Sequence, residues 1–254
     1  MKTIRFVFVL FVINICFCTN LFAQGKQFKV LLVTTTRGWH HESIHAGVLA
    51  LQDLGKRQFF DVDLLQDPNV FTDKILDQYA AVIFLNTTGD ILDSAQQKVM
   101  GRFIEKGRGF VGIHSASDTE YDWDWYTKMV GRMFYIHPTI QTAKLNILDA
   151  TFPGLQGFVN NKLWTDEWYQ FSPETTTGLN YILAIDESSY NPKADWGTKK
   201  GEGMGKFHPI AWYHNYDGGR AFYTALGHMP SDFSNDAFLN HLYAGIFWAA
   251  TGKK

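Results

Sequence analysis

The chain has 254 residues and a formal net charge of −2 with charges mixed along its length, which argues against the basic face of a general nucleic-acid binder. Its two cysteines, Cys16 and Cys18, both lie in the first apolar stretch, so a chain without that stretch has no disulfide, thiol nucleophile or thiolate metal site. The 8 Trp, 11 Tyr and 21 Phe suit either a well-filled core or flat platforms for sugar rings, and composition does not choose between them.

Residues 1–23 read as a removable export signal. Lys2 and Arg5 precede an apolar run over 6–18 broken only by Asn14, and Ala23 is a suitable cleavage-site residue. The run is shorter than the roughly 20 residues needed to span a bilayer, so no stable membrane insertion is expected after removal. Neither cysteine follows a small-residue lipobox, which ranks a lipoprotein below simple cleavage. The expected location is periplasmic or secreted, with residues 24–254 forming a single domain of ordinary α/β size.

Residues 28–34 form a β-branched, apolar run that predicts a buried strand. The loop Arg37-Gly38-Trp39-His40-His41-Glu42 follows, and then helical spacing at Ile44, Val48, Leu51 and Leu54 predicts a helix over 42–57. A loop between strand and helix is a favoured place for binding groups, so Trp39, His40 and His41 are candidates. Adjacent histidines do not easily point the same way, so one of the pair is expected to face a site. Residues 59–65 predict a second strand, 73–78 a short helical turn and 80–85 a third strand, followed by the polar loop 86–90. Ser94 is the expected cap of a helix running to 106.

Residues 109–114 predict a fourth strand, and Gly112-Ile113-His114-Ser115-Ala116-Ser117-Asp118 has the layout of a nucleophile elbow. His114 at its tip suits acid–base work or metal binding better than acyl transfer. Ser115 offers a hydroxyl one place past the tip, and Asp118 a carboxylate. Strands alternating with helices imply a parallel, doubly wound sheet whose carboxyl edge carries the ligand site.

The second half predicts strands over 142–148, 163–171, 181–186, 210–216 and 221–226, a hairpin at Asp217-Gly218-Gly219, and a closing amphipathic helix over 236–251. This half extends the parallel core with antiparallel strands. His137 before Pro138 is a candidate. So is Glu167, whose stretch Trp164-Thr165-Asp166-Glu167-Trp168-Tyr169 resembles a sugar site or a carboxylate base. His228, after Leu226-Gly227, ends the last core strand as His114 ends the fourth, while Trp212 lies beside His214 in an antiparallel strand. No local metal or phosphate motif is present. A zinc site built from the distant candidates His40, His41, His114, His137 and His228 remains compatible with the chemistry of that ion.

Six separated motifs, Gly38-Trp39-His40-His41, Gly112-Ile113-His114-Ser115, His137-Pro138, Asp166-Glu167, Pro209-Ile210-Ala211-Trp212 and Ala225-Leu226-Gly227-His228, together resemble the trehalose-utilisation (ThuA-like) family over about residues 29–251. The resemblance implies a three-layer, flavodoxin-like, class I glutamine-amidotransferase-like α/β fold. In amidotransferases the elbow tip is a cysteine and a histidine follows the last core strand. Here His114 stands at the tip and His228 looks like that histidine, so glutamine hydrolysis is not expected.

The family's link to disaccharide catabolism implies a carbohydrate as small-molecule partner. The leading expectation is an enzyme of lyase or hydrolase type acting on a glycoside or 3-keto-glycoside. His114, His228 and Glu167 would move protons, and Trp39, His40, His41, Ser115, Asp118, His137, Trp168 and Trp212 would bind substrate. A divalent metal such as zinc is an open possibility for His40 or His41 and their partners. The rival expectation is a non-catalytic carbohydrate-binding protein, and a hydrolase using Ser115 is a third. Homo-oligomerisation is left open.

Overall fold

The computed structural model describes residues 25–68 and 71–254, and the expected export signal over residues 1–23 lies outside them. The first half alternates strand and helix: β1 Lys29–Val33, α1 Ser43–Arg57, β2 Asp61–Leu65, α2 Asp73–Leu76, β3 Ala81–Leu85, α3 Ser94–Glu105, β4 Gly109–Ile113, a 3-10 turn at His114–Asp118, and α4 Asp124–Val130. The second half is strand-rich: β5 Phe134–Ile136, β6 Gln141–Ile147, β7 Lys162–Asp166, β8 Gln170–Phe171, β9 Asn180–Asp186, β10 Ala194–Asp195, β11 Lys200–Gly201, β12 His208–Tyr216 and β13 Gly219–Thr224. It closes with α5 Asp236–Thr251.

Nine strands form one sheet in the order β2-β1-β3-β4-β13-β12-β9-β6-β7. From β2 to β13 neighbours are parallel, and from β13 to β7 they are antiparallel. This is the expected parallel core with its antiparallel extension. The reason lies in burial. β3 and β4 are buried at every residue and β1 at all but its first, which requires cover on both faces. Successive residues of β4 show both covers. A Cβ on Gly109 would lie 2.3 Å from the Ala249 carbonyl of α5, whereas the Phe110 ring packs 5.7 Å from Tyr126 of α4. The chain runs from β1 outward to β2 and back to β3, so the sheet order reverses beside β1. Open α/β sheets bind ligands at the carboxyl edge of such a reversal.

Four expectations need correction. The strand expected over 163–171 is two strands: β7 pairs with β6, β8 pairs with β5, and the chain bends between them at Glu167. Asp93, and not Ser94, caps α3, accepting from the Ala95 and Gln96 amides while Gln96 returns the bond to the Asp93 amide. The closing helix is not amphipathic, because it is buried on nearly all sides. The sheet and α1 cover part of it, and the loop at Gly154 covers the rest, since a Cβ there would meet Ala244 at 2.4 Å. His228 does not end a strand: β13 stops at Thr224 and residues 225–227 intervene. The hairpin at Asp217-Gly218 forms as read, with φ of 47° and 84°, the paired positive values of a type I′ turn. Among the described residues no helix is long and apolar enough to cross a membrane.

Candidate functional site

The elbow after β4 is built as its sequence suggests, with an unusual residue at the tip. His114 has φ of 50°, a left-handed conformation uncommon outside glycine. Its carbonyl accepts from the Tyr223 hydroxyl at 2.7 Å, and that hydroxyl also meets Ser117 Oγ at 2.8 Å. The imidazole is fully buried, and its Nδ1 donates to the Ala225 carbonyl at 2.8 Å. That bond fixes the tautomer and leaves the Nε2 lone pair turned toward the carboxyl edge of the sheet.

Three further chain segments meet that lone pair. His228 Nδ1 lies 3.2 Å from His114 Nε2, and Glu167 Oε2 lies 3.4 Å from the same nitrogen and 3.1 Å from His228 Nδ1. The His41 ring stands nearly perpendicular to those of His114 and His228, with centroids 4.9 and 5.3 Å away. The second carboxylate oxygen of Glu167 meets His137 Nε2 at 3.2 Å, while His137 Nδ1 donates to the Pro138 carbonyl. His41, His114, Glu167 and His228 each bring one donor atom, all within 4.8 Å of one another, and so form a set able to hold a metal ion.

A second, polar layer holds these groups. The Ser43 hydroxyl donates to the Gly227 carbonyl, and the Asn86 amide bonds both, tying the start of α1 to the loop before His228. Asp166 is completely buried and accepts from the backbone amides of Glu167, Gly227 and His228 at 2.8, 3.0 and 3.2 Å. One carboxyl group thereby sets two of the cluster's backbones. Its partner is Asp232: burial and this second carboxyl push Asp166 well above the ordinary range, and burial pushes Asp232 to about 6. The pair shares a proton, because two buried carboxylates in contact repel too strongly for both to ionise.

Electrostatics divide the cluster. Burial, reinforced by the neighbouring imidazoles, pulls His41 down to about 2, and burial also lowers His114. Both rings are therefore neutral at physiological pH. Burial alone would raise the Glu167 carboxyl, but the adjoining His114, His228 and His137 imidazoles hold it below the usual carboxylate range. Asp118 goes the other way, raised by burial although the Tyr121 hydroxyl donates to it.

The cluster forms the floor of a cavity of about 560 Å³ reached by Glu167, His41 and His228. Phe134 and Tyr169 form an aromatic wall, and Asp118 and His137 place polar groups on it. Two tryptophans stand with large exposed surfaces, Trp39 at 72% and Trp196 at 46%. Trp196 and Lys199 arrive on the β10–β11 hairpin, pinned by the Trp196 indole donating to the His137 carbonyl at 3.2 Å.

The structure thus brings together His41, His114, Glu167 and His228, with His137, Asp118 and Trp39 beside them. Ser115 is buried behind the cavity, its Oγ 3.3 Å from His41 Nδ1. Three expected site residues lie elsewhere. His40 turns away, its Nδ1 toward Thr36 Oγ1 at 3.3 Å, beside a separate polar depression with Thr34 and Arg37. Trp168 is 1% exposed and donates to the Gln141 carbonyl, and Trp212 is buried and donates to the Val130 carbonyl; both are core. The sequence reading missed Phe134, Tyr169, Trp196 and Lys199 on the cavity wall, and the support given by Asp166 and Asp232. Only Asp195-Trp196-Gly197, an aromatic residue in a turn, offered a local signal.

The family model described as trehalose utilisation matches residues 29–249. Among solved structures, a ThuA-like protein from Bacteroides uniformis superposes with a TM-score of 0.74 at 20% identity, covering 92% of this chain and 95% of that one. A ThuA-like protein from Parabacteroides merdae gives 0.69 at 19%, covering 90% and 91%. A β-galactosidase from Bacillus circulans sp. alkalophilus contains a similar fold at 0.54 and 14% identity, covering 89% of this chain but 31% of its own. No curated protein sequence matches.

Proposed function

The chain belongs to the trehalose-utilisation (ThuA) family, with a carbohydrate-related function, and from that premise we propose that it is an enzyme acting on a glycoside or a glycoside oxidised at C3. The observation that carries this reading is the convergence of three imidazoles and a carboxylate on the floor of an aromatic-walled cavity. A protein that only holds sugars needs the exposed faces of Trp39 and Trp196. It does not need a buried knot of titratable groups whose ionisation is pushed apart by their surroundings.

The chemistry follows from the layout. A ketone at C3 of a sugar acidifies the proton at C2, and removing that proton assists loss of the C1 substituent. His114 has its one ring proton committed to the Ala225 carbonyl and no exposed surface, so it serves as support for the floor and not as the base. Proton transfer falls to Asp118 and His137, which line the wall. Burial keeps the Asp118 carboxyl closer to neutral pH than an ordinary aspartate, which suits a group that both takes and returns a proton. Trp39 and Trp196 offer flat faces to the sugar ring, and Lys199 a donor to its hydroxyls. The charged and apolar stretch at residues 1–23 supports export to the periplasm or the medium.

The test is turnover of a panel of glycosides and their 3-keto derivatives, read as aglycone release by chromatography, with sugar binding followed by calorimetry. Asp118→Asn is expected to lower turnover at least 100-fold while sugar affinity stays within a few-fold, a general acid–base contribution of the usual size. Sugar binding by the unaltered protein without turnover of any panel member would overturn the enzyme reading in favour of a binding protein.

A further inference from the structure

The four side chains on the cavity floor are too close, and their lone pairs too convergent, for hydrogen bonding alone to satisfy them. His114 Nδ1 uses its proton on the Ala225 carbonyl, so Nε2 of the neutral ring is a bare acceptor. Glu167 Oε2 is an acceptor as well, 3.4 Å away. His228 Nδ1, at 3.2 and 3.1 Å from these two atoms, has one proton to offer and two acceptors to satisfy. His41 brings a further donor atom into the same space. A single proton leaves one lone pair facing another, whereas a cation at the centre of the knot meets all of them.

The dimensions agree with that alternative. Zinc–nitrogen and zinc–oxygen bonds are about 2.0–2.2 Å long, which places tetrahedral ligand atoms about 3.4 Å apart. The three measured edges of the triangle formed by His114 Nε2, His228 Nδ1 and Glu167 Oε2 are 3.1, 3.2 and 3.4 Å. An ion about 2.1 Å from each corner lies about 1 Å out of that plane, toward the fourth vertex. The outer contacts also have the form that fixes metal-binding side chains. His114 donates its other ring N–H to a backbone carbonyl, and the free oxygen of Glu167 is held by His137. Asp166 fixes the backbones of both Glu167 and His228.

We propose that His41, His114, Glu167 and His228 bind a divalent transition ion of the zinc class, reachable from the cavity. Three imidazole nitrogens and one carboxylate oxygen favour such an ion over calcium or magnesium, which prefer all-oxygen shells, and over copper(I), which prefers sulfur. Glu167, His41 and His228 line the cavity, so a sugar carbonyl or hydroxyl oxygen entering it can complete the shell as a further ligand. Binding of the ion stands apart from the carbohydrate reading, and only its use on a sugar oxygen rests on that reading.

The experiment takes the full-length chain produced without a polyhistidine tag, strips it with a chelator and titrates it with zinc and with cobalt(II). One equivalent of zinc is expected to bind with submicromolar affinity, and cobalt to give the intense visible absorption of a tetrahedral or five-coordinate site. His114→Ala and Glu167→Gln are expected to weaken zinc binding at least 100-fold, and His40→Ala to leave it unchanged. X-ray absorption of the zinc-loaded, unaltered protein reads the shell independently of whether any variant folds, and should show three imidazoles. Stripped, folded protein that takes up no zinc below millimolar concentration overturns the proposal. So does a shell with fewer than two imidazoles, or affinity lost in His40→Ala and retained in His114→Ala. Zinc binding by an unaltered protein that turns over no member of the sugar panel would count against the carbohydrate reading and leave the metal site standing.

Discussion

His241 has no local motif and no part in the cavity, yet it gives the sharpest stability prediction. It sits within α5, fully buried against the Phe158 and Phe222 rings, and neither ring nitrogen has a hydrogen-bond partner among the described residues. A buried polar group without a hydrogen bond costs about 1–3 kcal/mol, so His241→Leu, similar in volume, is expected to stabilise the protein by about that much at pH 8. Burial lowers the imidazole from its ordinary 6.5 to about 3. A depressed native value means that stability is fully present above pH 6.5 and is lost as pH falls toward 3, because the unfolded chain takes up a proton that the native state refuses. At pH 5 the unfolded state gains about 2 kcal/mol from that proton. The advantage of His241→Leu over the unaltered chain should therefore grow by about 2 kcal/mol between pH 8 and pH 5. Urea denaturation of both proteins at the two pH values, with matched m-values, measures it. An advantage identical at both would mean that His241 is protonated or hydrogen-bonded in the native state, and the reasoning would fail.

Asp166→Ala removes the acceptor of three backbone amides and leaves Asp232 without its proton-sharing partner, so a loss of at least about 3 kcal/mol, or roughly 6–12 °C in Tm, is expected in calorimetry. A fall of less than 2 °C would show that water replaces it. Trp39→Ala and Trp196→Ala are each expected to weaken sugar binding by roughly 2- to 12-fold, the worth of one aromatic contact, with Tm almost unmoved in Trp39→Ala, whose ring is 72% exposed. Calorimetric titration showing unchanged affinity in both would place the sugar elsewhere. Gly109→Ala forces a methyl to within 2.3 Å of the Ala249 carbonyl, so α5 must shift, and a cost of about 1–3 kcal/mol is expected in the same denaturation assay.

The parallel half was legible in sequence because both faces of its central strands are covered. β3 and β4 need no alternation, so unbroken apolar runs bounded by polar loops marked them. The carboxyl-edge loops followed directly, and with them His41, His114 and His228. The antiparallel half was less legible because its strands differ: β6 and β7 alternate between a covered and an open face while β12 is buried over its first seven residues, and an aromatic side chain suits either setting. Trp168 and Trp212 read as sugar platforms and are core, whereas Trp196 stands in the open on a hairpin distant in sequence from every cluster. The break between β7 and β8 was invisible for a related reason. Glu167-Trp168-Tyr169 contains neither glycine nor proline, and what bends the chain is tertiary: Asp166 is held by the Gly227 and His228 amides while Trp168 is drawn into the core.

That bend joins fold to site. Side chains alternate across a strand, so a straight strand through residues 163–171 would put Asp166 and Glu167 on opposite faces of the sheet. Breaking the strand after Asp166 lets one carboxyl turn into the core to set the His228 loop while the next turns into the cavity beside His114. The elbow solves the matching problem on β4. A non-glycine residue at φ of 50° is strained by roughly 1–2 kcal/mol. The Tyr223 hydroxyl on the His114 carbonyl and the Ala225 carbonyl on its ring offset that strain only in this conformation. Both supporting residues belong to β13 and the loop that delivers His228. The strand that braces one histidine thus leads into the loop that carries the other, and this sets their 3.2 Å separation independently of any ligand.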